Sequence, residues 1–580
     1  MYLFAVLFSS GESLSDKERI YDIDFKRKYL QMKSKLFIRL VTLLALTFSM
    51  GSCTDLDVDI KSQLTEFPDS ERAAEAILAD VYAAYRGAMG RDHWMVQTLS
   101  GDEAVSVAMG TDWYDGGRYR EFHLHNWNAD NGLLPSIWND ASTGITLANN
   151  AIELFGEDKE KLTAPARAIR AYYYFILMDN FGAAPLITGP IDAVPARTDR
   201  ADICRFIESE LLAVKDLLPT TVSVATYGKA TKYMAEALLA KLYLNWNVYT
   251  TADVTNYTPS MPNEKLNAVV AMCDSIIASG QFNLTSHKFM EKFRPDNGYQ
   301  VKDFIFAVPY DREKQQGMTY ARFWIHRSGQ NQFALLPQSV GGTFRVLPTY
   351  LDKFSLDGDE RNASYIGGKQ YYWSNYVEDK KRPFMIKTSK RGIDQDYKGA
   401  DADVQFDWQL ETTREITLRP DGAATLNAGN DQKGRSMGYR SIKFYMDVAV
   451  TSANQRNQSN DVPVFRYADI LLMKAEAILR GATATNGQTP QSLVNQIRSY
   501  VNAPALTVAP SLQDVLDERA REFADESWRR NDLIRYGKFE DNWGFRSLYP
   551  AGMSEKFRRI FPMPTTVLNV NTHWKQNPGY

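Results

Sequence analysis

Helical periodicity comes in two blocks in this chain, and from Phe289 to Asp461 it is absent. A loop region of that length inside a compact protein is usually functional rather than a mere connection, so the sequence describes helical segments interrupted by a long irregular region. In the first block Ala74, Ile77, Leu78, Val81, Tyr82 and Tyr85 form one stripe, opened by Asp69 or Ser70 and stopped by Gly87. Leu133 to Phe155, Ala164 to Phe181, Asp199 to Leu218, Lys229 to Asn247 and Asn263 to Ser279 repeat the pattern. In the second of these, Ile169, Tyr172, Tyr173 and Ile176 share a face. Ala230, Ala235, Ala237 and Ala240 keep one helix face thin enough for close approach of a neighbour. The second block holds Tyr467 to Arg480, Gln491 to Val501 and Leu512 to Glu526, the last opened by Ser511 with Asp514 three residues on. The fold class expected is mainly α, with tetratricopeptide-like helix pairs as the scaffold and short strands in the loop region.

Two stretches lack the period: 91 to 132 and 289 to 461. The first is read as structured loop, rich in Gly, Asp and aromatics. In the second, FIFAV (Phe304 to Val308), EITL (Glu415 to Leu418) and SIKFYM (Ser441 to Met446) read as strands.

The N-terminus sets the compartment. Lys33, Lys35 and Arg39 precede an apolar run from Leu40 to Phe48, and Met50-Gly51-Ser52-Cys53 narrows to small residues before a cysteine. The run is too short to span a bilayer; the layout is that of a signal peptide ending in a lipoprotein box, with Cys53 as the lipidation site. Acyl chains on Cys53 would hold the mature chain at a membrane, each buried methylene adding about 0.8 kcal/mol. TDLDVD after it is an acidic tether, a pattern similar to surface-export signals of Bacteroidetes lipoproteins. Residues 1 to 31 carry mixed charge where a signal should begin, so translation is expected to start at Met32.

Stripping residues 1 to 52 removes eight Lys/Arg and five Asp/Glu from totals of 67 and 70, which leaves a net charge of −6. With no basic run, a nucleic-acid partner is disfavoured. Cys204 and Cys273 allow one disulfide at most, and nothing after Cys53 is long and apolar enough to cross a membrane.

Five segments carry a resemblance: APARAIRAYYYFILMDNFGAAPLI (164 to 187), GKATKYMAEALLAKLYLN (228 to 245), VFRYADILLMKAEAILRG (464 to 481), ERAREFADESWRRNDLIRYGKF (518 to 539) and FPMPTTVLNVNTHWKQNPGY (561 to 580). Together with the signal, the chain resembles the SusD/RagB family of Bacteroidetes outer-membrane lipoproteins. The resemblance implies a cell-surface protein, not an enzyme and without cofactor, that captures oligosaccharide and passes it to a SusC-like TonB-dependent transporter. Its helical side would pack on the transporter. The domain plan expected is an extension plus signal (1–52), a lipidated tether (53–66) and one SusD-like domain (67–580). In that domain 67–90, 133–288 and 462–540 are scaffold, and 91–132 and 289–461 are ligand side.

A sugar ring has an apolar C–H face and a hydroxyl rim, so its binding surface needs exposed aromatic planes beside polar groups. TDWYDGGRYR (111 to 120), YARFWIHRSGQNQ (320 to 332) and KQYYWSNY (369 to 376) supply both within aperiodic sequence. The candidate ligand residues are Trp113, Tyr114, Trp324, Tyr372 and Trp373, with Asp112 and Asn375 as polar neighbours.

Other readings weigh less. Gly434-Arg435-Ser436-Met437-Gly438 fits the hydrolase elbow pattern, but no strand precedes it and no helix follows. His123 and His125 would share a strand face without a third metal ligand, and Asp357-Gly358-Asp359-Glu360 lacks the remaining positions of a calcium loop; no metal is expected. A glycosidase would need two facing carboxylates, for which Asp102 and Glu103 are candidates by composition alone. Peptide capture by the same architecture is the remaining alternative.

Overall fold

The computed structural model describes residues 71–156, 158–335, 340–450 and 456–580; the leader, Cys53, the tether and the Asp69/Ser70 cap lie outside them. The principal helices are α1 (Glu71–Ala83), α2 (Trp94–Ser100), α3 (Leu134–Phe155), α4 (Glu160–Phe181), α5 (Arg200–Val214), α6 (Lys232–Leu244), α7 (Leu266–Ala278), α8 (Tyr467–Leu479), α9 (Pro490–Tyr500), α10 (Leu512–Phe523) and α11 (Arg529–Arg535). From α4 to α9 each packs on the one before it.

The array has two layers, and the sequence pattern differs between them. α5 buries Ile203, Cys204, Ile207, Leu211 and Val214, and α7 buries Leu266, Val269, Val270, Cys273 and Ile276. Each is a single stripe, so these helices lie on the outside. α6 and α8 are buried almost all round, as is the C-terminal half of α4. The small residues Ala235, Ala237 and Ala240 of α6, all fully buried, let neighbours approach from several sides. Thr231 caps α6 by accepting the Met234 N–H at 3.2 Å, and Ser511 and Asp514 form the reciprocal box at the start of α10. Cys204 and Cys273 are buried free thiols on α5 and α7.

α7 also packs directly on α8, although residues 279 to 466 separate them. The irregular region is therefore one insertion between neighbouring helices. The longer strands are β1 (Ala104–Ser106), which precedes the insertion, and, within it, β2 (Phe304–Val308), β3 (Phe344–Val346), β4 (Tyr371–Ser374), β5 (Val377–Pro383), β6 (Met385–Thr388), β7 (Phe406–Gln409) and β8 (Val462–Arg466). They form two-stranded antiparallel pairs, β1 with β3, β2 with β8, β4 with β5 and β6 with β7. The β2–β8 pair sets Val308 opposite Val462 and Phe304 opposite Arg466, closing the base of the insertion.

Three sequence expectations change. EITL forms no strand, and of SIKFYM only Ser441 enters a bridge, opposite Tyr365. Ile442, Lys443, Phe444, Tyr445 and Met446 are all buried, so this β-prone composition serves packing rather than strand pairing. The 91–132 stretch is not all loop: all seven residues of α2 are buried, and a helix with no solvated face shows no amphipathic period.

Buried charge joins insertion to scaffold. Arg466 at the end of β8 pairs with Asp303, Glu522 and Glu526, each at 2.7 Å, and Asp303 also holds Lys292 at 2.8 Å. Arg361 contacts Asp359 and Glu518 at 2.7 Å. A second cluster runs through α6, α8, α10 and α11: Lys241 and Arg519 on Asp469, Arg519 and Arg535 on Asp532, and Arg535 on Glu476. Neighbouring cations hold the Asp469 carboxyl down to about 2 against the opposing effect of burial.

Candidate functional site

Trp113 stands at the tip of a tight turn. Met109 and Asp112 exchange backbone hydrogen bonds of 2.9 and 3.2 Å, which throws the next residue into the left-handed region at φ 64°. A bulky residue there is strained, and such strain persists where the surroundings enforce it. The enforcing contacts are visible. The half-buried indole meets Phe323 edge-on at 5.7 Å and Tyr119 at 6.4 Å, the Arg322 guanidinium lies 5.6 Å from its ring, and Gly341 lies so close that an added Cβ would collide with it. Asp112 is half-buried beside it and ion-paired to Arg327 at 2.7 Å. Tyr114, also half-buried, leans over the backbone of Gly117.

Trp324 does not belong to this surface. It is 3% exposed and donates its indole N–H to the buried Asp525 carboxylate at 3.2 Å. The reason is local: the turn Tyr320–Trp324 directs Tyr320, Phe323 and Trp324 toward Trp94 and Phe344, with Trp94 and Tyr320 stacked at 4.1 Å. Its Gly-rich neighbourhood in sequence belongs to the chain after the turn, not to the turn itself.

Tyr372 and Trp373 lie on β4, half-buried, in the hairpin with β5. Trp373 rests on Phe333 and Tyr445, each at 5.9 Å, while Tyr372 meets Phe384 edge-on and carries Arg382 at 4.7 Å. Asn375 is exposed, and its job is conformational. Asn375 and Tyr376 are the two corner residues at φ 47° and 67°, the pattern of a type I′ hairpin turn, which Asn tolerates. Among the described residues no ring contact joins Trp113 to Tyr372 or Trp373, so the structure presents two aromatic patches rather than one.

The remaining motifs are consumed by structure. Ser436 ends a short helix, Gln432–Ser436, and its hydroxyl is 3.2 Å from His326 Nε2. His326 Nδ1 accepts the Ser328 N–H, which leaves the imidazole proton on Nε2, and burial beside Arg440, Arg345 and Arg435 keeps the ring neutral. An imidazole that donates to the hydroxyl cannot remove its proton. His123 lies in the short helix Arg120–Leu124 and His125 caps it, so the expected strand is absent; His123 accepts Phe545 N–H, and His125 binds Ser100 O and Arg546. Asp359 is tied up by Arg361. Asp102 is clasped by Arg529 at 2.6 Å, and Glu103 is buried with its carboxyl pushed well up by desolvation and by Asp525. These two acids do not flank a cleft.

The residue type missed in the sequence is arginine. Arg91, Arg322 and Arg456 line a cavity of about 390 Å3, together with Thr319 and Gly317. Arg322 stood inside a quoted aromatic stretch; Arg91 and Arg456 are far apart in sequence, and only the fold unites them. A larger hollow of about 800 Å3 lies between the start of α5 and the C-terminal segment around Phe557, and none of the predicted ligand residues reaches it.

Comparison with known proteins agrees with this architecture. Residues 302–580 match the family model described as SusD family, and 55–244 match the model described as starch-binding associating with outer membrane. The starch-binding protein SusD of Bacteroides thetaiotaomicron is 24% identical over 441 residues, covering 72% of each chain. SusD-like protein P2 of Formosa agariphila is 24% identical and covers 93% of this chain and 99% of that one. Among solved structures, a surface glycan-binding protein A from Bacteroides fluxus superposes with a TM-score of 0.63 at 20% identity, over 88% of this chain and all of that one. One from Bacteroides thetaiotaomicron in complex with laminarihexaose gives 0.60 at 17%, over 87% and 99%. The paired helices, the insertion between α7 and α8, and model matches on both sides of it lead to one conclusion: the chain belongs to the SusD family.

Proposed function

We propose that this chain is a glycan-binding protein of the outer-membrane surface that captures oligosaccharide on its loop side and delivers it to a TonB-dependent transporter. The observation that carries this reading is Trp113, a strained indole fixed edge-on by Phe323 and flanked by Arg322 and Asp112. A pyranose stacking on its open face would find hydrogen-bonding groups at the rim, which is the arrangement ring recognition requires. The relatives' names, starch-binding and glycan-binding, agree in ligand class. The reading includes lipid anchoring at Cys53, passive capture without bond cleavage, and docking of the helical side on the transporter.

A glycan array probed with the wild type and with Trp113→Ala tests it. Retention of one glycan class by the wild type and its loss in the variant supports the reading; unchanged binding in the variant removes Trp113 from the site. Appearance of new reducing ends during incubation would replace capture by hydrolysis. Recovery of a barrel transporter with the protein from detergent-solubilised outer membranes tests the partner.

A further inference from the structure

We infer that the glycan held at Trp113 is acidic, and that Arg91, Arg322 and Arg456 receive its carboxylate or sulfate group. The inference rests on the glycan reading above and narrows its ligand class.

Three observations on one cavity support it. The first is position. Arg322 both lines the 390 Å3 cavity and sets its guanidinium 5.6 Å from the Trp113 ring, so one residue belongs to both the cavity wall and the surroundings of the indole. The second is charge without counter-charge. Among the described residues no carboxylate lies within ion-pair distance of Arg322 or Arg456. Arg91 reaches only Asp92, at 3.6 Å, and Asp92 already accepts the Ser136 hydroxyl at 2.6 Å. Nearby arginines behave otherwise: Arg327 is neutralised by Asp112, and Arg435 donates twice to Asn430.

The third is unspent donors. The Nε–H groups of Arg91, Arg322 and Arg456 are all shielded from solvent without an acceptor within hydrogen-bond reach; other arginines of the described residues share that state, but these three bring it to one cavity. Folded proteins pair such groups, and guanidinium is the side chain suited to two-pronged recognition of carboxylate and sulfate-like oxyanions. Burial, and then the positive charges of Arg456 and Arg91, lower the Arg322 pKa, with Tyr119 and Asp115 opposing, so an arriving anion relieves a tension already present. Gly87 and Gly317 leave the wall without side chains there.

Paired polymers that differ only in charge provide the test. Polygalacturonate is compared with its fully methyl-esterified form, and dextran sulfate with dextran, by affinity electrophoresis and titration calorimetry, alongside an array of neutral and acidic glycans. The wild type should favour the charged member of at least one pair by about tenfold or more, which also tells carboxylate from sulfate. Arg456→Gln and Arg322→Gln should each remove most of that preference, Arg322→Lys should retain part of it, and Lys161→Gln, on the exposed face of α4, should leave it intact. Equal binding of charged and neutral members, or a preference untouched by the arginine variants, overturns the inference while glycan binding stands. Binding only to neutral glycans does the same. Failure to bind any glycan overturns the glycan reading and this inference with it.

Discussion

Arg466 grips Glu526 with two hydrogen bonds, Nε to Oε2 at 2.7 Å and Nη2 to Oε1 at 2.8 Å, where the insertion rejoins the helices. The same guanidinium holds Asp303 and Glu522, so one cation bridges three carboxylates in a site closed to water, each of which also meets a second cation, Lys292, Arg361 or Lys443. Removing the bridging partner from such a cluster costs far more than the cluster itself contributes, because it leaves buried negative charge without its full counter-charge. Arg466→Met should lower stability by about 3–5 kcal/mol, read from urea unfolding midpoints. Arg205→Ala, which breaks an exposed pair with Asp202, should change it by less than about 0.5 kcal/mol. Equal effects would remove the network from its structural role.

The two tryptophans should separate cleanly. Trp113→Ala should abolish glycan retention with a small change in unfolding midpoint, since the ring is only half-buried and the backbone strain at φ 64° is the same for alanine. Trp324→Ala empties a buried site and takes one donor from the Asp525 carboxylate, which keeps the Trp94 indole N–H and the Ser441 hydroxyl, costing about 3–5 kcal/mol. Array binding and urea melts on both variants check the pair, and loss of binding in a fully folded Trp324→Ala protein would contradict the burial argument.

Gly341 offers a gentler probe. A side chain there collides with the Trp113 indole, so Gly341→Val should displace the ring and weaken glycan binding about as much as Trp113→Ala. Far-ultraviolet circular dichroism should stay unchanged. Full binding with a changed tryptophan fluorescence would show that ring position is immaterial.

Asp461 makes stability depend on pH in an unusual direction. Burial pushes its carboxyl up to about 7, against hydrogen bonds from the Tyr310 N–H and the Tyr227 hydroxyl and the charge of Arg86. Its folded pKa exceeds the unfolded value of 3.8, so the folded state binds the extra proton between them and stability falls as pH rises through that window. The buried neutral imidazoles act oppositely: His93 is lowered to about 4 and His123 to about 3 by burial, so they withdraw stability as pH falls below 6.5. Asp461→Asn isolates the carboxylate. Between pH 5 and 8 the wild type should lose about 2–3 kcal/mol relative to the variant; a flat difference in urea midpoints would refute the shifted carboxyl.

What could be read from the sequence follows from what leaves a pattern. The helices of the outer layer, such as α5 and α7, show their stripes because one face meets water, and the capping box at Ser511 is a local signal. α2 left no pattern because it has no wet face. Trp113 could be proposed as a ligand residue from its Gly- and Asp-rich surroundings, whereas Trp324, with similar surroundings, turned inward through five residues of helix. Asn375 reads as a polar contact by composition alone, yet it sits between an aromatic strand and a charged one, where a hairpin corner falls. The arginine cavity was invisible because its three members come from positions 91, 322 and 456, and nothing in the order of the chain brings them together.

Because α7 and α8 touch, the chain departs for its loop region and returns to nearly the same point. Lengthening a closed excursion costs little, since the entropy of bringing its ends together grows only with the logarithm of its length. Relatives could thus exchange the interior of the excursion wholesale while the helical frame is inherited untouched; the buried arginine clasp at its base is the part such a cassette would have to keep.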